Sequence, residues 1–169
     1  AGCSTDSGIP DYRDADGQWK RTPPVDYRAF MADAAVRRRY WARSLVGWAH
    51  IGRARPNATH HALAALEAAG RVELLLTQNV DGLHQRAGSR QVIDLHGRLD
   101  AVRCMDCGAH SPREALQQRM LEANPGWAAL QAVQAPDGDA DLERDFSRFL
   151  VPGCTACGGL LKPDVVFFG

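Results

Sequence analysis

Two short segments of the chain concentrate side chains that can do chemistry. Gln78, Asn79 and Asp81 follow the apolar run of residues 72–76, and His96 follows a second apolar run. In open α/β sheets, ligands bind beyond the carboxyl ends of parallel strands, where such polar groups meet. Amide and carboxylate groups orient polar ligands, and an imidazole can accept a proton near neutral pH. The sequence therefore predicts an active site at the edge of a parallel sheet.

Further residues of metal-ligating type lie outside these segments and the cysteine pairs. His84 falls on a short predicted helix over residues 82–87, which favours a packing role. His60 and His61 lie on an alanine-rich predicted helix and are expected at the surface. Cys3 stands apart from the other cysteines and is expected to be a small residue of a loop.

The other four cysteines form two Cys-x-x-Cys pairs, Cys104 with Cys107 and Cys154 with Cys157, each followed by glycine. Four thiolates close a tetrahedral shell around Zn²⁺ and leave no open position, so the pattern predicts a structural zinc site. The alternative is two disulfides or a redox pair. Disulfides need an oxidising compartment, which nothing else in the sequence indicates, so zinc is favoured.

The elements that must position these groups alternate between helix and strand. Asn57 or Thr59 is expected to cap one helix, and Gly70 to end it. A helix followed by an unbroken apolar run predicts a parallel sheet that is buried on both faces. Ser111 and Glu114 have the spacing of a capping box. The predicted segments are one or two helices over 27–48, strand over 72–76 and 92–95, helix from 112 to 123, and strand over 160–169.

The overall composition excludes some classes of partner. The 169 residues carry 20 basic and 20 acidic side chains, so no domain-wide basic field is present to bind nucleic acid. The run Arg37–Arg39 lies on a predicted helix and is expected to form a solvated face. No apolar run reaches the roughly 18 residues that a membrane helix requires. No secretory leader is visible at the start of the sequence.

Five motifs follow one another along the chain. They are Ala1-Gly2-Cys3-Ser4 through Gly8-Ile9-Pro10-Asp11-Tyr12-Arg13, Thr77-Gln78-Asn79-Val80-Asp81, Leu95-His96-Gly97, the two cysteine pairs, and Lys162-Pro163-Asp164-Val165-Val166-Phe167-Phe168-Gly169. In this order, the five motifs resemble the sirtuin family. The stretch around Tyr40-Trp41 and Trp48 is similar to the class II subgroup of mitochondria and bacteria.

The resemblance implies an α/β fold: a Rossmann-like parallel sheet with a small zinc-binding lobe inserted in it. The implied divisions are residues 1–98 for the partial NAD-binding domain, 99–161 for the zinc lobe and 162–169 for the return strand. The first strand of the family would precede Ala1, and further strands would follow Gly169. We therefore expect a partial chain whose sheet is incomplete at both termini.

The resemblance also implies a function, NAD-dependent removal of acyl groups from protein lysine. Nicotinamide leaves the ribose as the acyl oxygen attacks, and the acyl group then moves onto ADP-ribose. His96 would be the base, with Asn79 and Asp81 as the other catalytic residues. The implied cofactor-binding residues are Ala1, Gly2, Ser4, Ile9, Pro10, Asp11, Tyr12, Arg13, Gln78, Asn79, Asp81 and His96.

The implied partner is an acyl-lysine protein or peptide, which would lie beside Val165, Phe167 and Gly169. NAD and one structural Zn²⁺ are the implied cofactors, and no nucleic acid or membrane is expected as a partner. The implied location is the bacterial cytoplasm, with mitochondria as the alternative. Mono-ADP-ribosyl transfer to protein is the alternative reaction. A non-catalytic zinc module that binds NAD or a partner is a third reading, which the retained Asn79, Asp81 and His96 disfavour.

Overall fold

The computed structural model describes residues 2–11, 16–18, 20, 25–127, 129–130, 133–134, 139–142 and 144–169. Ala1, Tyr12 and Arg13, three of the predicted cofactor-binding residues, lie outside these ranges. After a 3-10 turn at Thr5–Ser7, the elements are α1 Tyr27–Ala32, α2 Ala34–Arg53, α3 Ala58–Ala68, β1 Leu75–Thr77, α4 Leu83–Ala87, β2 Val92–Asp94, β3 Gly97–Cys104, β4 His110–Pro112, α5 Arg113–Ala123, β5 Val133–Gln134, β6 Ala140–Asp141 and β7 Leu161–Val165.

Side-chain caps set where the first three helices begin. Asp26 accepts a hydrogen bond from the Ala29 N–H, and Asp33 accepts one from the Ala35 N–H. Asp33 is extended and so divides this region into α1 and α2, the second of the two predicted possibilities for residues 27–48. Asn57 caps α3 through the N–H groups of the first turn, as predicted. Gly70 follows α3 with a φ of 68°, a left-handed conformation that ends helices and suits glycine.

The parallel sheet is a pair of short strands, β1 and β2. Leu75 pairs with Val92 and Thr77 with Asp94, so the regular ladder is shorter than predicted at both segments. The expected burial of both faces is wrong for the described chain, because Leu76 is 59% exposed. Alternate side chains of a strand point to opposite faces, and only the face of Leu75 and Thr77 is covered.

A second, antiparallel sheet has the strand order β4-β3-β7. β3 pairs with β7 from Gly97–Val165 to Cys104–Leu161, across the predicted boundary at residues 98 and 99. The division into three segments therefore stays a prediction. The predicted return strand of residues 160–169 is regular only over Leu161–Val165.

The predicted capping box at Ser111 is wrong. Ser111 pairs with Val102 in the ladder between β3 and β4, so its backbone is extended. Pro112 takes the cap position of α5, and no side chain bonds there. The end of α5 agrees with the prediction, since the helix stops before Asn124 and Pro125.

The largest buried cluster lies between α1, α2, β3, α5 and β7. Trp41 is fully buried at its centre and donates from Nε1 to the Leu161 carbonyl at 3.3 Å. Arg37 is not simply solvated as predicted. Its guanidinium donates at 2.8 Å to the carbonyls of Phe30 and Met31, which are at the end of α1. Among the described helices, none has the length and apolar character to cross a membrane.

Candidate active site and metal centre

The loop that opens the chain meets the carboxyl end of β1. The Ser4 hydroxyl donates to Asp81 Oδ2 at 2.6 Å and accepts from Asn79 Nδ2 at 3.1 Å. Ser4 is buried, and the other two residues are half-buried. Ser4 therefore forms one hydrogen-bonded group with Asn79 and Asp81, which lie about 75 positions later in the chain. All three are predicted site residues.

The carboxylate of Asp81 is fixed in place from both sides. Its Oδ1 accepts from the Leu83 N–H at 2.9 Å, while Oδ2 accepts from Ser4. The turn between Asp81 and Leu83 requires Gly82, whose φ is 69°. A carboxylate offers about four acceptor positions, so Asp81 can accept further hydrogen bonds from a ligand without moving.

Local bonds shape the first loop. The Ile9 N–H donates to the Ser4 carbonyl at 3.2 Å, and Gly8 turns the chain with a φ of 83°. The Ile9 side chain is buried in a small cluster with Ile51, Ala54 and Leu83. The backbone of Ile9 is thereby held next to Ser4, as the predicted cofactor role requires.

His60 corrects the sequence prediction of a surface residue. Its imidazole is fully buried, whereas its neighbour His61 is exposed as expected. His60 Nε2 lies 3.5 Å from Ser4 Oγ, and its ring centroid is 4.7 Å from that of His84. Burial lowers the pKa of both imidazoles. The signal that could have found His60 is its spacing from Asn57, because the two residues form a reciprocal cap.

His96 lies at the same sheet edge as Asn79. The Leu95 N–H donates to the Thr77 carbonyl at 2.9 Å, so the two chain segments leave the parallel strands side by side. The His96 side chain is exposed, and its carbonyl accepts from the Val166 N–H at 2.8 Å. A Cβ on Gly97 would lie 2.1 Å from the Asp164 carbonyl oxygen, so only glycine fits after His96.

The predicted substrate residues lie at the end of β7, beside His96. Val165 is buried, and the Phe167 ring packs edge-on against the rings of Phe30 and Tyr40. Gly169 is exposed.

Lys162 supports this segment, although the sequence did not mark it as a site residue. Its Nζ donates to the carbonyls of Pro163 and Val165 at 2.8 and 2.5 Å and lies 4.7 Å from the centre of the Phe167 ring. Burial lowers the pKa of this ammonium group. A buried cation thus holds the chain where β7 ends.

The other described residues that were predicted to bind the cofactor lie at or near the surface. Gln78 and Gly2 are exposed, and Pro10 is half-buried. Asp11 accepts a hydrogen bond from Lys20 Nζ at 2.5 Å, which lowers the pKa of its carboxyl. The structure therefore unites Ser4, Asn79 and Asp81 directly, and His96 through the strand register.

The four cysteines of the two pairs come together as predicted. Their sulfur atoms lie within 4.8 Å of one another, with Cys104 and Cys157 3.6 Å apart and Cys107 and Cys154 3.8 Å apart. These contacts cross between the pairs and none is a disulfide. Four sulfurs at such spacing fit one structural Zn²⁺.

The pKa values of the thiols are also compatible with binding of a cation. The N–H groups of Cys107 and Asp106 lower the pKa of the Cys104 thiol to about 7. The Gly159 N–H lowers that of Cys157, but the neighbouring thiols outweigh it and raise the pKa to about 12. A metal ion would relieve this repulsion and hold all four groups as thiolates.

Comparison with known proteins agrees with this geometry. The sequence model of the Sir2 family matches residues 1–169. The chain is 68% identical to an NAD-dependent protein deacetylase of Bordetella bronchiseptica and 69% identical to NAD-dependent protein deacetylase 2 of Bradyrhizobium diazoefficiens. Each comparison covers all of this chain and 62% of the relative, so the chain spans about three fifths of their length.

Solved structures give the same result for the fold. A Sir2 protein with a p53 peptide and NAD⁺ has a TM-score of 0.71 at 32% identity, covering 100% of this chain and 57% of that one. A Sir2 protein bound to a propionylated peptide has a TM-score of 0.69 at 33% identity, covering 100% and 56%. Because the family model matches residues 1–169 and both structures cover the whole chain, the chain belongs to the Sir2 family.

Proposed function

We propose that the protein carrying this chain is an NAD-dependent protein-lysine deacylase. The observation that carries the proposal is the bonded group of Ser4, Asn79 and Asp81 at the carboxyl edge of the parallel strands, with His96 at the same edge. Its relatives named NAD-dependent protein deacetylase support the same reaction. NAD, when bound, supplies the electrophilic ribose carbon and nicotinamide as its leaving group.

Asp81 and Asn79 would bind the polar parts of NAD. A carboxylate fixed by Ser4 and the Leu83 N–H can accept from the carboxamide NH₂ of nicotinamide without reorganising. Asn79 donates from Nδ2 to Ser4, so its Oδ1 takes the acceptor role toward a ribose hydroxyl or water. Ile9, held beside Ser4 by its backbone, would close the other side of the pocket.

His96 would act as the general base. Its imidazole is exposed at the sheet edge, whereas those of His60 and His84 are buried and bonded or stacked. A general base must reach the substrate, and among the three only His96 faces solvent. Its backbone bond to Val166 sets its position relative to β7.

The acyl-lysine peptide would bind along β7. In the described chain, β7 is an edge strand because only β3 pairs with it. Beyond it, Val166 and Phe168 are 65% and 61% exposed. An extended peptide can add to such an edge through main-chain hydrogen bonds. The backbones of Val165, Phe167 and Gly169 would then contact the substrate.

The bacterial relatives support a cytoplasmic location for the reaction.

The test is incubation of the protein with NAD and an acetyl-lysine peptide. Nicotinamide release should match loss of acetyl groups, and His96→Ala should reduce both by about 100-fold or more, as expected for loss of a general base. His50→Ala, an exposed imidazole at the end of α2, is the matched control and should retain activity.

Labelled NAD separates this proposal from its alternative. Label that leaves as acyl-ADP-ribose supports deacylation, whereas label bound covalently to protein would show mono-ADP-ribosyl transfer instead. Nicotinamide release without any peptide would contradict the proposed deacylation.

A further inference from the structure

A second set of metal-ligating side chains lies behind the active-site group. One ligand atom from each of Cys3, His60 and His84 lies within 4.8 Å of the others. Cys3 Sγ is 3.8 Å from His60 Nε2, and the two imidazole rings are tilted at 53° with centroids 4.7 Å apart. A single ion can therefore contact all three residues after small rotations of their side chains.

The polar contacts of His60 can accommodate the tautomer that metal binding requires. The Asn57 amide is oriented by its Nδ2, which donates to the Cys3 carbonyl at 2.7 Å and to Ser7. Asn57 Oδ1 therefore faces His60 Nδ1, 2.9 Å away, and this oxygen can only accept. The Asn57 N–H also points at Nδ1, 3.2 Å away, and donates to it in the other tautomer. The tautomer with its proton on Nδ1 turns the Nε2 lone pair toward Cys3, and this is the tautomer that a metal ion at Nε2 would select.

This arrangement is the one that metal-binding histidines use. They usually donate the second ring N–H to an oxygen, which fixes the ring and leaves the other nitrogen to the metal. His84 adds an independent sign of a missing ligand. Its ring is 5% exposed, and its buried Nδ1 has no hydrogen-bond partner in the described part of the chain. An unpaired buried polar atom is unfavourable and uncommon in native proteins.

The ligand set indicates the class of ion. One sulfur and two imidazole nitrogens suit Zn²⁺ or a similarly soft divalent cation, and do not suit Mg²⁺ or Ca²⁺. Three protein ligands leave a fourth position open. A water molecule would fill that position. The Ser4 hydroxyl, which lies 3.5 Å from His60 Nε2, connects the site to the Asp81 carboxylate.

We propose that Cys3, His60 and His84 form a second metal site, for Zn²⁺ or a similar thiophilic cation, next to Asp81. On binding, the Cys3 S–H bond breaks, its proton passes to solvent and a metal–sulfur bond forms, with no change of oxidation state. The site differs from the four-cysteine centre, which lies in the other half of the molecule. It is also independent of the proposed deacylase activity, since metal content alone tests it.

The test compares zinc content between variants of the full chain after equilibration with Zn²⁺ and a competing chelator of moderate affinity. Wild type should hold about one more zinc per chain than Cys3→Ser, because the four-cysteine centre is intact in both. His61→Ala is the matched control, since it removes an exposed imidazole from the same helix and should leave the zinc content of wild type unchanged. Equal content in wild type and Cys3→Ser would overturn the proposal, as would loss of the extra zinc in His61→Ala.

A second measurement does not depend on a variant folding. Zn²⁺ should slow alkylation of the half-exposed Cys3 thiol in wild type at least about tenfold, because a thiol bound to metal is no longer a free nucleophile. Mass spectrometry of the peptide containing Cys3 reports this rate directly. An alkylation rate that zinc leaves unchanged would overturn the proposal.

Discussion

The two halves of this molecule are held together in different ways. The cysteine half, formed by α1, α2, α5, β3, β4, β7 and the four cysteines, contains the largest buried cluster, with Trp41 and Phe30 fully enclosed. The site half, formed by residues 2–11, α3, β1, α4 and β2, contains small apolar clusters and many polar contacts. Packing and a metal thus stabilise one half, while hydrogen bonds position the reactive groups of the other.

The exposed apolar residues show the same contrast. Leu74, Leu76, Ile93 and Leu95, on or directly beside the strands of the site half, are each close to half exposed or more. Substitutions of the same kind should therefore have unequal effects on the two halves, and the following predictions test that contrast from the largest effect to the smallest.

Loss of one zinc ligand should disrupt the cysteine half most severely. Cys104→Ser removes a buried sulfur from the four-cysteine centre. We expect loss of that zinc and of several of the roughly 10–16 kcal/mol that a structural zinc can contribute to folding. Zinc analysis and thermal unfolding measure both effects. Ala156→Ser, an exposed change between two ligands, is the control, and a Cys104→Ser protein with unchanged zinc content and unfolding temperature would contradict a metal centre.

Truncation at the centre of the core should rank next. Trp41→Ala removes a fully buried ring and its hydrogen bond to the Leu161 carbonyl. The expected loss is about 3–5 kcal/mol of unfolding free energy, measured by denaturant titration. Arg39→Ala, an exposed position on the same helix, should change it by less than about 0.5 kcal/mol. Similar values for the two variants would place the core elsewhere.

These two predictions follow largely from sequence, because the patterns concerned are local. The Cys-x-x-Cys pairs, the Asn57 cap and the Gly70 stop each depend on residues a few positions apart, and all three appear as predicted. The position of Thr77-Gln78-Asn79-Val80-Asp81 at one sheet edge also follows from sequence, because ligand sites in α/β sheets generally lie beyond the carboxyl ends of the strands.

The failures involve contacts between distant segments. The local pattern predicts His60 at the surface, because its burial depends on a contact with Ser4, 56 residues away, that the pattern does not reveal. Ser111 was expected to cap a helix, but pairing with Val102 fixes its backbone in an extended conformation. Residues 72–74 were expected in a strand, yet the ladder begins only at Leu75, where β2 offers a partner. Local propensity cannot report which partner is available.

Acid should weaken a link between α2 and α5 by a small amount. Glu114 accepts from Trp48 Nε1 at 2.9 Å and from Gln118 at 2.8 Å, and these bonds lower the pKa of its carboxyl from 4.5. Its contribution to stability is complete above the ordinary pKa and is lost as the pH falls through the lower pKa of the folded protein. Because the side chain is exposed and solvent screens it, the change should be less than about 1 kcal/mol.

Denaturant titrations between about pH 6 and pH 3 measure this effect, since the ordinary Glu pKa lies inside that range. Glu114→Gln should show a shallower loss of stability with acid than wild type. Glu122→Gln on the same helix is the control. An identical pH dependence in Glu114→Gln and wild type would show that the Trp48 bond does not stabilise the fold.

The smallest effect is expected on the exposed face of the parallel strands. Leu76→Gln should change the unfolding free energy by less than about 0.5 kcal/mol, because the side chain is 59% exposed. Leu75→Gln, one residue earlier and buried, should be destabilising by at least about 2 kcal/mol, since it places an amide in an apolar site. Equal losses at the two positions would mean that the face of Leu76 is covered in solution.

The tight contact at Gly97 joins the segment of His96 to the end of β7. The backbone of this glycine rests against Asp164, and the preceding carbonyl is bonded to Val166. If a peptide binds along β7 as proposed, any shift of β7 would therefore move the His96 segment with it. Peptide binding and placement of the proposed base would then be a single displacement, and a peptide bound one residue out of register would also misplace His96.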